Sequence, residues 1–436
     1  MRTYLKIDIH DIRLFKQKLL TWGNTFDTFI FLDSNDFPKI NNEFNYFEYE
    51  FLAGISVKEE LKASAKENFE TLKKFSNNHN NWIFGYLSYD LKNEIETLTS
   101  DNTDELQFPL LHFFIPEIVI LFKNQQVEVH YYQEQYSDDD IIKLIKSIEQ
   151  IEICRLSATT TKIDLHSRFS KTEYIASVEK LKHHIQIGDI YEANFCQEFY
   201  FNSAIDPLET FLKLKELSPT PFSCFYKFDN KYLICASPER FIKKAGNKII
   251  SQPIKGTIRR GKSEEEDIIL KEKLLNDPKE RAENVMIVDL VRNDLSRTAK
   301  KGSVKVEELY GVYSFQQVHQ MISTIVSEVE EVTDIIDIIK NAFPMGSMTG
   351  APKIRAMQLM EQYERTKRGL YSGAVGFMTP EKNFDFNVVI RSILYNKAKN
   401  YVSFTVGGAI TSLSEPDKEY EECMVKAKAI TDLFNL

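Results

Sequence analysis

Apolar residues recur along this chain in two rhythms. Short aromatic-rich runs, partly alternating with polar residues, predict strands at 26–34 (FDTFIFLDS), 44–53 (FNYFEYEFLA), 109–122 and 126–133 (QVEVHYYQ). Helical spacing predicts a Lys/Glu-rich helix over 56–78 and another over 138–151, with Ser137 placed to cap its start. The stretch from there to Arg168 reads as a connection, and a boundary falls there, between 1–167 and 168–436. Beyond Ser170 the pattern sharpens. It predicts an amphipathic helix over 171–187, stopped by Gly188, then strands at 190–201, 222–229, 232–236, 241–244 and 248–254. A long helical stretch follows over 264–297, with Ser263 and Glu266 at capping-box spacing. A helix is predicted over 352–363 and strands at 371–378, 386–395 and 401–410. The last helix runs from near Ser414 to about Phe434, with Pro416 in its first turn. Strands in runs, separated by helices without strict alternation, point to an α+β fold built on antiparallel sheets.

Composition narrows the function classes. The 436 residues allow about two or three domains, and 31 Phe with 20 Tyr can fill a sizeable core. A net charge of −9 without a long basic block argues against a nucleic-acid or anionic-membrane partner. An acidic ligand would then need positive charge gathered locally. Charges break up the N-terminal MRTYLKIDIHDIRLFKQ, so it does not read as a signal peptide. The longest apolar stretch, 113–122, is interrupted by Pro116 and Glu117 and is too short to span a bilayer. Five Cys, odd in number and without a CxxC pair, fit reduced thiols in a cytoplasmic protein.

Four features could carry chemistry. Lys255, in SQPIKGTIRRG, follows a strand and precedes a glycine turn. An amine is nucleophilic only when neutral, and burial or the nearby Arg259 and Arg260 would lower its pKa. A solvated turn lysine is the plainer reading. Glu280 and Glu283 share a helix face just before a segment apolar nearly all round, and Glu419 and Glu422, at the same spacing on the last helix, lie along the edge of an apolar stripe. Each pair could serve an oxygen-loving cation such as Mg²⁺. Equally, Arg281 and Arg292 could pair the first; for the second, a solvated face with Lys426 pairing Glu422 is the plainer reading. The segment 345–357 (MGSMTGAPKIRAM) places glycines before a helix start, where backbone amides bind anions. Arg391, inside the apolar run NVVIRSILY, needs an anionic partner, internal or from a substrate. The eight His show no metal-ligand spacing, and neither a Walker loop, a GxGxxG fingerprint nor a GxSxG elbow is present.

Taken together, GDIYEANFCQ (188–197), SPERF (237–241), PIKGT (253–257), RAENVMIVDLVRNDLSR (281–297), GSMTGAPKIRAM (346–357), SGAVGFM (372–378), DFNVVIRS (385–392) and EYEECMVK (419–426) resemble the chorismate-utilising enzymes. The resemblance spans about 168–434. FLDS (31–34), FGYLSYDL (84–91) and PTPF (219–222) are similar to the branch that makes anthranilate or aminodeoxychorismate. In parts of that branch such segments shape a tryptophan site, which here would involve Ser34, Pro219, Pro221 and Phe222.

The resemblance implies a single large sandwich of two facing antiparallel sheets with helices outside, so that 1–167 and 168–436 are subregions of one body. It implies that Lys255 attacks ring carbon 2 of chorismate, because the aminodeoxychorismate-forming members carry Lys in PIKGT where anthranilate- and isochorismate-forming members carry Ala. Glu239 matches the general acid. Glu283 and Glu422, with Glu280 and Glu419 beside them, match Mg²⁺ ligands. Arg391, Tyr371 and Lys426 match residues that hold substrate carboxylates, with Thr257 and a Gly407–Gly408 turn lining the pocket. Ammonia would come from a separate glutamine amidotransferase subunit. Two positions depart from the family. Glu192 stands where amine-using members show Gln and water-using members show Lys. Gln320 stands where a His associated with pyruvate elimination is common, with His319 before it. An anthranilate-forming enzyme and a catalytically idle chorismate- or tryptophan-binding subunit are the rival expectations.

Overall fold

The computed structural model describes residues 2–36, 47–63, 66–153 and 163–434. Their strands form two large sheets, of 12 and 10 strands, and every pairing inside both is antiparallel. The expected α+β fold is therefore found. Strands from both sides of residue 168 lie in the first sheet, where Phe29–Asp33 pairs with Phe222–Phe228. The same holds for the second, where Ile83–Leu87 pairs with Ala374–Met378.

One apolar core is shared by the sheets and by the helices Asn68–Asn78, Pro278–Ser296 and Ile335–Ala342. A second lies between the first sheet and helices such as Ile12–Gly23, Lys171–Gln186 and Pro416–Thr431. Strand Glu192–Asn202 separates the two by its alternation. Ala193, Phe195 and Phe199 join the second core, whereas Cys196 joins the first.

Several predicted elements prove to be two. The segment 109–122 divides at Pro116 and Glu117 into Leu111–Ile115 and Ile118–Lys123, which belong to different sheets. Likewise 386–395 divides into Phe384–Val388 and Ser392–Asn396, again in different sheets. Arg391 therefore sits at a crossing, with φ of 50°, and not inside a strand. The helix over 264–297 breaks at Asp277, whose side chain caps Lys279 and Glu280, because Pro278 cannot continue a preceding helix. The N-terminal part of 56–78 is a short strand, Glu59–Lys62, pairing with Leu111–Ile115 at the sheet edge, where charges are well suited. Gly407 and Gly408 do not form a turn. They lie within strand Tyr401–Ile410, opposite Cys196 and Phe195. Residues 44–46 of the predicted strand 44–53 lie outside the described residues, 47–50 are in no strand, and 51–53 open the strand Phe51–Ile55. Among the described residues, no helix is long and apolar enough to cross a membrane.

Candidate active site

Two strands cross from the first sheet to the second side by side. Lys231–Ser237 continues through Pro238 and Glu239 into Arg240–Ala245. Phe384–Val388 makes the reverse crossing through Arg391 into Ser392–Asn396. The corners are laced by backbone bonds, Ala236 N–H to the Arg391 carbonyl at 3.1 Å and Val388 N–H to the Glu239 carbonyl at 3.0 Å. An acid and a cation thus meet where the sheets exchange strands.

Glu239 is 4% exposed. Its carboxylate accepts from the Ser347 hydroxyl. Burial pushes this carboxyl up to about 7, against the pull of that hydroxyl, Lys255 and Arg391. Arg391 makes no ion pair with any described residue at bonding distance, and burial lowers its pKa against the attraction of Glu239. An incompletely paired guanidinium is suited to an anion.

Lys255 reaches the same region from strand Ile254–Arg259. Its Nζ lies 2.7 Å from Glu192 Oε1, and both side chains are largely buried. Glu192 Oε2 is buried without a hydrogen-bond partner among the described residues. The expected lowering of the lysine pKa is not found. Burial acts in that direction, but the carboxylates of Glu192, Glu283 and Glu239 outweigh it and hold the amine above its ordinary value. Arg259 and Arg260 do not face it; they pair with Glu266 and Asp267. Gly256, at φ of 94°, lets the strand pass close to the helix Pro278–Ser296, since a Cβ there would come within 3.1 Å of Glu280 Oε2.

That helix buries one face only, through Glu283, Ile287 and Val291, while Val285 is exposed. A segment apolar nearly all round is expected to be buried, and here it is buried on one side only. Neither Arg281 nor Arg292 pairs with the glutamates. Arg281 lies over the Tyr310 ring, and Arg292 bonds Asp289. Burial pushes Glu283 up to about 7, with Lys255 opposing and Glu192 adding. Burial also raises Glu280 and Glu419. Glu422 goes the other way, because Lys426 at 2.8 Å and the more distant Lys279 and Lys255 outweigh burial. Lys426 also donates to the Gly407 carbonyl at 2.8 Å. Among the described residues, no three potential ligands are grouped closely enough to hold a metal. The donor set nonetheless fits Mg²⁺, which takes one or two carboxylates and completes its shell with water and substrate oxygens. Glu283 Oε1 is buried with no hydrogen bond among the described residues, and Lys279 Nζ lies 3.8 Å from it.

The other expected residues fall as follows. Tyr371 is buried, with its hydroxyl 3.8 Å from the Cys196 thiol. Thr257 is exposed, opposite Gln320 in the neighbouring strand. His319 turns away from the site and bonds Ser314 and Asp267, both at 2.9 Å. Ser34, Pro221 and Phe222 line a separate cavity of about 50 Å³ with Tyr49, Lys243 and Asp385, and Pro219 is not among its lining. Lys279 was missed from sequence. It acts electrostatically on all four glutamates, which its place beside Glu280 could have suggested.

The chorismate binding enzyme family matches residues 33–432. A probable chloroplastic aminodeoxychorismate synthase of Oryza sativa subsp. japonica is 36% identical over 383 residues, 80% of this chain and 42% of that one. The chain thus spans about two fifths of the rice protein's length. Aminodeoxychorismate synthase component 1 of Bacillus subtilis (strain 168) is 32% identical over 361 residues, 81% of this chain and 76% of that one. Among solved structures, anthranilate synthase component I from Streptococcus pneumoniae TIGR4 superposes with a TM-score of 0.77 at 25% identity, covering 87% of this chain and 91% of that one.

Proposed function

We propose that this chain, which belongs to the chorismate binding enzyme family, converts chorismate and ammonia to 4-amino-4-deoxychorismate. The observation that carries this reading is the Lys255 amine, buried among carboxylates in the region of a second acid, Glu239, whose carboxyl is pushed up to about 7. Anthranilate-forming members of the family usually carry Ala at that position.

The chemistry follows from those two groups. Lys255 first passes a proton to the Glu192 carboxylate, 2.7 Å away, and its nitrogen bonds ring carbon 2. The two ring double bonds shift, and the bond from carbon 4 to its hydroxyl breaks. Glu239, half protonated near neutrality, supplies the proton with which that hydroxyl leaves as water. Ammonia then bonds carbon 4, the double bonds shift back and the bond to Lys255 breaks. The enolpyruvyl ether is untouched. Gln320, buried opposite Thr257, stands where pyruvate-eliminating members have His.

Arg391, Lys426 and Tyr371 are the groups that would meet the two carboxylates of the substrate. Glu283 and Glu422, with Glu280 and Glu419 beside them, would hold Mg²⁺. Bound there, it would offset the local negative charge and attract a substrate carboxylate. A separate glutamine amidotransferase subunit would supply ammonia.

The test is to incubate the purified chain with chorismate, Mg²⁺ and ammonium at alkaline pH and identify the product by mass spectrometry. A product that keeps its enolpyruvyl ether, and that an added lyase turns into 4-aminobenzoate, supports the reading. Fluorescent anthranilate with pyruvate would overturn it.

A further inference from the structure

Arg368 belongs to none of the motifs that point to the site. It is 5% exposed, and a guanidinium that deep requires partners on every side. Nε and Nη2 fork onto the two oxygens of Glu364 at 2.9 and 2.7 Å. Nη1 donates to the Met348 carbonyl at 2.6 Å, and Nη2 also donates to the Asn194 carbonyl at 2.7 Å. The guanidinium lies over Tyr89, 4.5 Å from the ring centre. Glu364 Oε1 in turn accepts the backbone N–H of Cys196 at 3.0 Å.

One side chain therefore pins two segments. The first is the strand Glu192–Asn202, whose first residue holds the Lys255 amine. The second is the turn Gly346–Met348, whose Ser347 hydroxyl donates to Glu239. Buried ion pairs are often no more stable than apolar residues of the same volume, so stability alone does not account for this one. What the fork supplies is direction. A bidentate guanidinium fixes angle as well as distance, which an ammonium on a flexible stem does not.

We infer that Arg368 and Ser347 form a strut that positions the Glu239 carboxyl relative to the Lys255 amine. Arg368 is a positioning residue acting through the Met348 carbonyl, and Ser347 is the last link. This rests on the reading of Glu239 as the acid. The groups that face Glu239 are the Ser347 hydroxyl, the Lys255 ammonium, the Ile254 backbone N–H and the Arg391 guanidinium. All four favour its anion. Removing the hydroxyl therefore raises the pH at which the acid loses its proton.

The experiment compares rate against pH for Ser347→Ala, Ser347→Thr, Arg368→Lys and Glu239→Gln. Each profile is divided by that of the wild-type protein, so the titration of ammonia cancels. Ser347→Ala is expected to move the alkaline limb upward by about one pH unit, the value of one hydrogen bond to a charged group. Ser347→Thr, which keeps a hydroxyl, stays with the wild type. Arg368→Lys moves the limb in the same direction and lowers kcat roughly tenfold through misalignment, with KM for chorismate nearly unchanged. Should Arg368→Lys not fold, Ser347→Ala and Ser347→Thr decide alone. If Glu239→Gln keeps the wild-type limb, the acid reading falls and the strut falls with it. If Glu239→Gln abolishes the limb while Ser347→Ala superimposes on the wild type, the strut alone is wrong.

Discussion

Two buried carboxylates, Asp33 and Glu239, meet opposite fates. Asp33 ends a strand of the first sheet, Glu239 lies two residues beyond the end of another, and both are almost fully enclosed. Asp33 bonds Lys16 at 3.0 Å, Lys215, and the Asn35 backbone N–H at 3.0 Å. Burial works against its charge, but Lys215 and Lys16 outweigh it and hold the carboxyl below its ordinary range. Glu239 has one hydroxyl, the Ile254 backbone N–H and two more distant cations, and burial wins. A carboxylate whose charge is met on all sides is a fixture of the fold. One whose charge is only partly met can exchange a proton near neutrality, which is what an acid catalyst requires.

The comparison can be broken in several ways. The largest effect is expected from Lys255→Ala, which should reduce formation of the 4-amino product by at least about 10³-fold while chorismate still binds in equilibrium dialysis. Unchanged turnover would sink the covalent step. Glu239→Gln should lower the rate by about 10²- to 10⁴-fold. At constant free ammonia the wild-type rate should fall as pH rises past about 7, and the variant should lack that limb.

Asp33→Ala should act on stability instead. It leaves Lys16 and Lys215 facing a cavity, at about 3–5 kcal/mol in denaturant unfolding, with the pH profile of the surviving enzyme unmoved. The two acids should also differ in how stability follows pH. The folded pKa of Asp33 is depressed. Its contribution is present above the ordinary aspartate pKa and lost as pH falls through the lower, folded value. For Glu239 the folded pKa is raised, so folding loses stability as pH climbs from the ordinary glutamate value through about 7. Glu239→Gln should therefore gain on the wild type over that climb, whereas Asp33→Ala should draw level with it in acid. Parallel slopes would remove the distinction.

Smaller effects sharpen it. Glu192→Gln should lower the pKa of Lys255, read from the pH dependence of labelling by an amine-reactive reagent. The fall should be partial, because Glu283 and Glu239 remain. Gly407→Ala should destabilise by about 1–3 kcal/mol, since its Cβ would lie 2.5 Å from the Cys196 sulfur.

Much of the fold was legible in the sequence, and the reasons are local. Ser137 and Ser170 cap the helices Asp138–Glu149 and Lys171–Gln186 through complete capping boxes. Ser263 does cap its helix, although Glu266 bonds the Lys262 N–H and not that of Ser263. Alternation located most strands. What alternation cannot show is which sheet a strand joins. The corners at Pro116, Glu239 and Arg391 were accordingly read through or missed. The same limit applies to the site. Lys255, Glu239, Glu283 and Glu422 were named from motifs, but the direction of the Lys255 pKa depends on Glu192, which lies 63 residues away. Arg368 carried no signal, because its importance lies in backbone carbonyls that any residue could supply.

The paired corners have a consequence for redesign. Neither crossing has a loop that could absorb a change of length. Deleting one residue from Lys231–Ser237 would turn every later side chain of that strand to the opposite face. It would also shift Glu239 against Arg391 and undo both bonds that lace the corners. Segments 231–245 and 384–396 should therefore be transplanted as one block, and tags or insertions placed elsewhere, as in the exposed turn at Gly246.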